Sequence, residues 1–246
     1  MTNTQHKVAL VTGGARGIGA AIVRRLAKDG FDVAFSYVNS KSKAEGLVEE
    51  IRAIGGHAVA IQADSASAED VKKLIATTLT TFGRLDVLVN NAATAVLGPL
   101  DAFSLDDFDK LVAVNIRGVF VATQEAVKHM GDGGRIINIG SCTAKRVPSA
   151  GSSVYAMTKA AVAGLTRGLA RDLGPRGITV VDVQPGPTDT DMNPANGEHV
   201  EKMWSLMALR RHGQAHEIAG MVSFLAGPDG GFVTGASLTI DGGFST

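Results

Sequence analysis

The chain has 246 residues, 45% of them apolar, and its 24 basic side chains balance 24 acidic ones. That supplies a sizeable core, while a neutral chain without a basic cluster argues against nucleic acid or an acidic membrane surface as partner, since both are bound largely through charge. A single cysteine, Cys142, rules out an intrachain disulfide and suits a reducing compartment. No apolar run approaches the roughly 18 residues of a membrane span, and the opening MTNTQHKVALVTGG reads as a short polar tail rather than an export signal, so a soluble cytoplasmic protein is expected.

In chain order, short β-branched runs alternate with longer helical patterns. KVALVTG (7–13) predicts the first strand, followed by a helix from about Gly17 to Gly30. DVAFSYV (32–38) is the second strand, with a helix near 42–54. HAVAIQAD (57–64), DVLVNNA (86–92), GRIINIGS (134–141) and ITVVDVQPG (178–186) repeat the theme, and SLTIDGG (237–243) closes the series. Near-continuous Val/Ile/Leu runs predict strands buried on both faces, as in parallel sheets. The alternation predicts an α/β fold: a doubly wound parallel sheet (Rossmann fold) of about seven strands with helices on both faces. No repeat or linker divides residues 1–246, so one domain is expected. Only GPTDTDMNPANGEHVEKMWSLMALRRHG (186–213) breaks the rhythm. It reads as a loop with a short helix, and long excursions of this kind are more often functional than idle.

VTGGARGIG follows the first strand and opens the first helix, with Gly13, Gly17 and Gly19 spaced GxxxGxG. Glycine permits the tight turn and lets backbone approach a pyrophosphate seated on the helix N-terminus. An acidic residue about 20 positions on would indicate NAD. Here Tyr37, Val38, Asn39, Ser40 and Lys41 occupy the end of the second strand, and Asp32 stands at the strand's start, at the other edge of the sheet. A 2′-phosphate would meet Arg16, Lys41 and two small hydrogen-bonding side chains with no carboxylate to repel it, so NADP(H) is the expected cofactor.

One of the two tyrosines lies in SSVYAMTKAA, four residues before a lysine. Ser152 or Ser153 is placed to cap a helix that runs to GPRG at 174–177, and Tyr155 and Lys159 then share one face of it. An ammonium beside a phenol favours the phenolate. At about 4 Å and an effective dielectric of about 20 the attraction is roughly 4 kcal/mol, enough to draw a phenol pKa from about 10 toward 7 as an upper bound. Such a tyrosine is a general acid or base at neutral pH. INIGS puts Ser141 at the carboxyl edge of the sheet, where open α/β folds bind ligands, and Asn115 in VNIRG is placed to hold a water that links Lys159 to solvent.

With these motifs in place, the sequence resembles the short-chain dehydrogenase/reductase family in its single-domain form. TGGARGIG (12–19), NNAA (90–93), VN (114–115), Ser141, Tyr155 with Lys159, PGPTDT (185–190) and FVTGASLTIDGG (232–243) match that family's motifs in order across nearly the whole chain. The resemblance implies reversible hydride transfer between NADPH and a carbonyl, with Tyr155 as proton donor, Ser141 holding the carbonyl oxygen, Lys159 tuning the tyrosine and binding the nicotinamide ribose, and Asn115 in the proton relay. It further implies cofactor contacts from Gly13, Arg16, Gly17, Ile18 and Gly19, from Tyr37, Asn39, Ser40 and Lys41, and from Asp64, Ser65, Asn91 and Ala92. Pro185, Gly186, Thr188 and Thr190 would serve the nicotinamide and pyrophosphate end. No metal is implied, and a homotetramer is.

Two departures stand out. Ala93 replaces the glycine usual after NNA, and thirteen residues rather than twelve separate Ser141 from Tyr155, with Cys142 expected to line the pocket. Among family members the sequence looks most like 3-oxoacyl-(acyl carrier protein) reductases. The segment from Gly186 also resembles a subgroup associated with cyclic di-GMP binding and biofilm dispersal, which makes a nucleotide-sensing protein the alternative function. Met192, Met203, Trp204, Leu206 and Met207 are expected either to form an apolar cover over the substrate within about 187–213 or to pack the core of a lid or a subunit contact.

Overall fold

The structure is a computed structural model that describes residues 6–196 and 200–246. Most of the polar N-terminal stretch, and positions 197–199 of the expected cover, lie outside the described residues. The strands are β1 (Val8–Val11), β2 (Asp32–Tyr37), β3 (Ala58–Gln62), β4 (Val87–Asn90), β5 (Arg135–Ile139), β6 (Thr179–Pro185), the short β7 (Thr188–Asp189) and β8 (Gly213–Gln214), and β9 (Ser237–Ile240). The helices are α1 (Gly17–Lys28), α2 (Lys41–Ala53), α3 (Ala68–Phe82), α4 (Leu105–Val112), α5 (Val119–Ala126), α6 (Ser153–Leu173), α7 (Val200–Trp204) and α8 (Ala215–Ala226). No helix among the described residues is long and apolar enough to cross a membrane.

Seven strands form one parallel sheet in the order β3-β2-β1-β4-β5-β6-β9. After β3 the chain crosses to the far side of β1, so the strand order reverses between β1 and β4. Loops diverge there and leave a crevice at the carboxyl edge. Asp32 sits at the opposite edge, where His6 Nδ1 at 3.2 Å and His57 Nδ1 at 3.1 Å meet its Oδ1. It is therefore remote from the glycine turn, as the sequence indicated.

Because side chains alternate along a strand, the sheet has two distinct faces. Ala9, Val11, Val33, Phe35, Val89, Ile137 and Val181 lie in one buried cluster with Ile22, Leu26 and Ile218 of α1 and α8. Leu10, Leu88, Ile136 and Val180 face the other way, against Leu74 and Ile75 of α3, Ala122 of α5 and Leu173 of α6. Toward the carboxyl edge this second face becomes polar. Asn90, Asn138, Asp182 and Ser237 stand in register across β4, β5, β6 and β9. Asn90 Nδ2 donates to Asn138 Oδ1 at 2.8 Å and to Thr123 Oγ1 at 3.1 Å, and Asn138 Nδ2 donates to Thr166 Oγ1 of α6 at 2.9 Å.

Between β4 and β5, α4 and α5 are joined by a π-helical turn, Ala113–Gly118. Such a turn inserts a residue into the helical ladder and re-aims its side chains. The irregular segment is closed by β7 and β8, which pair in parallel with Thr188 opposite Gly213.

Candidate active site

The glycine turn is built to accept an anion. Gly13 and Gly17 adopt φ of 65° and 54°, and a side chain at Gly19 would overlap the Gly13 carbonyl. Gly13 N donates to Ser36 Oγ at 2.9 Å, which fastens the turn to β2. Arg16 occupies the N-cap of α1 without a side-chain cap bond, and no acid lies in the first turn. Ser40 at the start of α2 is likewise no side-chain cap, and that first turn is also free of acids. By contrast α3 is capped by Ser67, whose Oγ accepts from Asp70 N, and carries Glu69 and Asp70 in its first turn. The two helices that open on the crevice leave their N–H groups for a ligand, and α3 satisfies its own. These features fit a dinucleotide bearing a 2′-phosphate.

Thr12 organises the next wall: its Oγ1 accepts from Asn91 N and Ala92 N, each at 3.0 Å. Asn91 Nδ2 donates to the carbonyls of Thr12 and Gly13, both at 3.0 Å. The amide thus locks β4 to the glycine turn.

At the other end of the crevice, Ser141 follows β5 and accepts from Thr143 N at 3.2 Å and Thr143 Oγ1 at 2.9 Å. Its hydroxyl is also hydrogen-bonded to the Tyr155 phenol. Tyr155 and Lys159 project from the first turns of α6, the lysine Nζ lying 5.7 Å from the centre of the phenol ring. Lys159 is buried and donates to the Ile139 carbonyl at 2.9 Å. Ser152 occupies the N-cap of α6 but makes no side-chain cap bond.

The electrostatics differ from the sequence-based expectation. Burial pushes the Tyr155 phenol up to about 12, with hydrogen bonding from Ser141 opposing it. Burial also pushes the Lys159 ammonium down to about 8, opposed by the charge of Asp182. Desolvation penalises the charged form of each group, and the ammonium is turned toward a backbone carbonyl. The phenol is therefore not drawn toward neutrality by its neighbour in this state.

Asn115 is fastened on both sides. Its Oδ1 accepts from Thr94 N at 2.9 Å, and its Nδ2 donates to Thr94 O at 2.9 Å and Thr158 Oγ1 at 3.1 Å. A buried amide must satisfy its polar atoms, so this side chain ties the 94 loop to α6.

One cleft of about 640 Å³ joins these elements. It is lined by Gly13, Arg16, Gly17, Ile18, Gly19, Tyr37, Asn39, Ser40, Asp64, Ser65, Asn91, Ala92, Ser141, Tyr155, Lys159, Pro185, Gly186, Thr188 and Thr190. Two expected residues do not line it: Asn115, for the reason above, and Lys41, whose ammonium lies 3.8 Å from Glu45 one helical turn on. Sequence reasoning missed Lys43, whose Nζ donates to Asp191 Oδ2 at 3.0 Å and so links α2 to the covering segment. No local motif announces a pair 148 residues apart.

The expected cover is partly present. Met192 and Met203 line the cleft, and Met207 packs with Cys142 and Phe244, flanked by Met203 and Trp204. Trp204 Nε1 donates to His212 Nδ1 at 2.9 Å. Leu206 is 37% exposed and takes no part in that cluster. Cys142 lines the cleft, its thiol pushed up to about 11 by burial and then by Asp241. It is a wall, not a nucleophile.

Residues 13–245 match a family described as enoyl-(acyl carrier protein) reductase. A short-chain dehydrogenase/reductase from Serratia marcescens superposes with a TM-score of 0.97 at 56% identity, covering 98% of this chain and 99% of that one. A blue fluorescent protein from a metagenomic library, in complex with NADPH, gives a TM-score of 0.97 at 55% identity over 100% of both chains. The cyclic-di-GMP-binding biofilm dispersal mediator protein of Escherichia coli is 49% identical, covering 97% of each chain.

Proposed function

The chain belongs to the short-chain dehydrogenase/reductase family, and on that footing we propose that it is an NADP(H)-dependent oxidoreductase acting on a carbonyl of the ketone or 3-oxoacyl type. The observation that carries this reading is the meeting of Ser141, Tyr155 and Lys159 in the same cleft as an uncapped glycine turn. The glycine turn with Arg16 and Ile18 would hold the pyrophosphate; Arg16, Asn39 and Ser40 the 2′-phosphate; Asp64, Ser65, Asn91 and Ala92 the adenosine; and Pro185, Gly186, Thr188 and Thr190 the nicotinamide end. NADPH in a 55% identical structure supports the choice of cofactor. When bound, the cofactor supplies or accepts the hydride.

The chain's own groups handle the oxygen and the proton. Ser141 donates to the carbonyl oxygen, and Tyr155 delivers the proton that the oxygen gains on reduction. Burial, opposed by the Ser141 hydrogen bond, pushes the phenol up to about 12, so the phenolate left behind needs the Lys159 ammonium to stabilise it. Asn115 supports the site by fixing the 94 loop against α6. Met192 and Met203 are adaptable apolar walls for the substrate. The chain acts in the cytoplasm as a homotetramer, and exposed Phe120 of α5 and Met157 of α6 offer apolar surface for that assembly. A stable monomer in sedimentation would remove the tetramer.

The test is NADPH oxidation against a panel of ketones, β-ketoesters and imines, with NADH alongside. Turnover that prefers NADPH supports the reading, and binding without turnover on any substrate sinks it. A second reading, a protein that senses cyclic di-GMP, draws on the E. coli relative. Titration of the NADPH-loaded protein with cyclic di-GMP decides it, by showing either binding with competition or none.

A further inference from the structure

Asp182 is a second ionisable group beneath the cleft, and the mechanism above makes no use of it. It lies on β6 among Val180, Val181 and Val183, with no solvent exposure. Its Oδ2 accepts from Gln184 Nε2 at 2.8 Å and from Ser237 Oγ at 3.3 Å, while its Oδ1 is buried without a hydrogen-bond partner. That oxygen presses on the backbone of Gly140, where a methyl group would overlap it. Gly140 lies between Ile139, whose carbonyl anchors Lys159, and Ser141.

A carboxylate left one partner short in a strand core is a poor structural choice. An orphaned buried acceptor is destabilising, and a valine like its neighbours would fill the strand. What does need an anion here is Lys159: a buried ammonium that donates to a neutral carbonyl.

The charged and titratable groups around Asp182 are few. The charges that act on it are those of Lys159 on α6, beside Tyr155, and then of Lys145 in the turn after β5. Lys145 is exposed and donates to Thr239 Oγ1 at 3.0 Å, and Thr239 in turn donates to Gln184 Oε1 at 3.4 Å. The neighbouring strands contribute only neutral groups at this level, Asn138 from β5 with Gly140 just beyond it, and Ser237 and Thr239 from β9. Asp241 acts instead on Cys142, and Cys142 on Tyr155.

We propose that Asp182 is the buried counter-charge of Lys159, a positioning residue that keeps the lysine protonated on the floor of the cleft and so sets the upper pH limit of the site. Burial pushes the Asp182 carboxyl up to about 6 and the lysine down to about 8, each opposed by the other's charge. Between those values both are ionised. Above them the ammonium is lost, and with it the group that stabilises a Tyr155 phenolate.

The role in turnover rests on the reductase reading; the charge coupling does not. Asp182→Asn keeps the shape and an acceptor for Gln184 while removing the charge, and Asp182→Val serves if the asparagine variant fails to fold. The first readout is the lysine Cε resonance in 13C-lysine-labelled, cofactor-free protein, with Lys159→Met to assign it. The expected result is a Lys159 titration about one unit lower in the variant, and kcat/KM down about tenfold at pH 8.5 but close to wild type at pH 6. An unmoved Lys159 titration overturns the proposal, as does a changed pH profile without a changed Lys159. If the resonance shifts while the wild type turns over no substrate, the coupling stands and the reductase reading falls.

Discussion

The two faces of the sheet are made from the same strands and do different work. On the α1/α8 face the buried residues are apolar from Ala9 and Val11 through Val181 and Val183. On the α3/α5/α6 face an apolar floor at Leu10, Leu88, Ile136 and Val180 gives way to Asn90, Asn138, Asp182 and Ser237 one pleat further on. The catalytic candidates Tyr155 and Lys159 stand on a helix covering that second face. An apolar face tolerates small shifts because dispersion is non-directional. A hydrogen-bonded row fixes α6 against β5 by distance and angle, which is what a proton-transfer site requires.

The largest effect that sharpens this contrast is at the second face's chemical edge. Tyr155→Phe is expected to lower kcat by about 10²- to 10⁴-fold while leaving NADPH affinity near wild type, as read by optical turnover and cofactor fluorescence. Turnover that survives the substitution would mean another group delivers the proton.

A matched pair on β5 compares the faces directly. Ile137→Ala, on the apolar face, should cost about 2–5 kcal/mol in urea unfolding with kcat retained. Asn138→Ala strands the partners Asn90 and Thr166, at about 1–3 kcal/mol for each unsatisfied group. It should also lower kcat by about tenfold to a hundredfold through misplacement of α6. Equal kcat in the two variants would break the comparison.

The smallest effect lies where the covering segment joins α8. Arg211 donates to both oxygens of Glu217 at 2.8 and 2.7 Å, and Gln214 N donates to the same carboxylate at 2.7 Å. The Arg211 guanidinium, and then that backbone N–H, hold Glu217 down at about 2. A depressed carboxyl pKa contributes stability that is present above the unfolded value and lost as pH falls through the folded one. Because solvent screens the pair, Glu217→Gln should cost at most about 1 kcal/mol at pH 7. In urea titrations that deficit should shrink as pH drops from about 4.5 toward 2.

Legibility in the sequence followed range. DVLVNN and GRIINIGS announce β4 and β5 because β-branched runs between turns have few alternatives, and Tyr155, Lys159 and the glycine turn announce themselves because their spacings are local. The π-helical turn at Ala113–Gly118 left no such mark, since the helical pattern on either side is continuous. Lys43 with Asp191, and Asp182 beneath Gly140, escaped notice because their partners lie far away in the chain.

The sequence by itself determined the parallel α/β sheet, the glycine turn at its first crossover, and Tyr155 with Lys159 on one helix face, because strand burial, turn chemistry and helical spacing are set by neighbours within a few residues. Only the tertiary structure decided the protonation of that pair. The dielectric around a phenol and an ammonium comes from everything packed upon them, and packing set a buried carboxylate from β6 against Gly140, next to the strand carbonyl toward which it turned the ammonium.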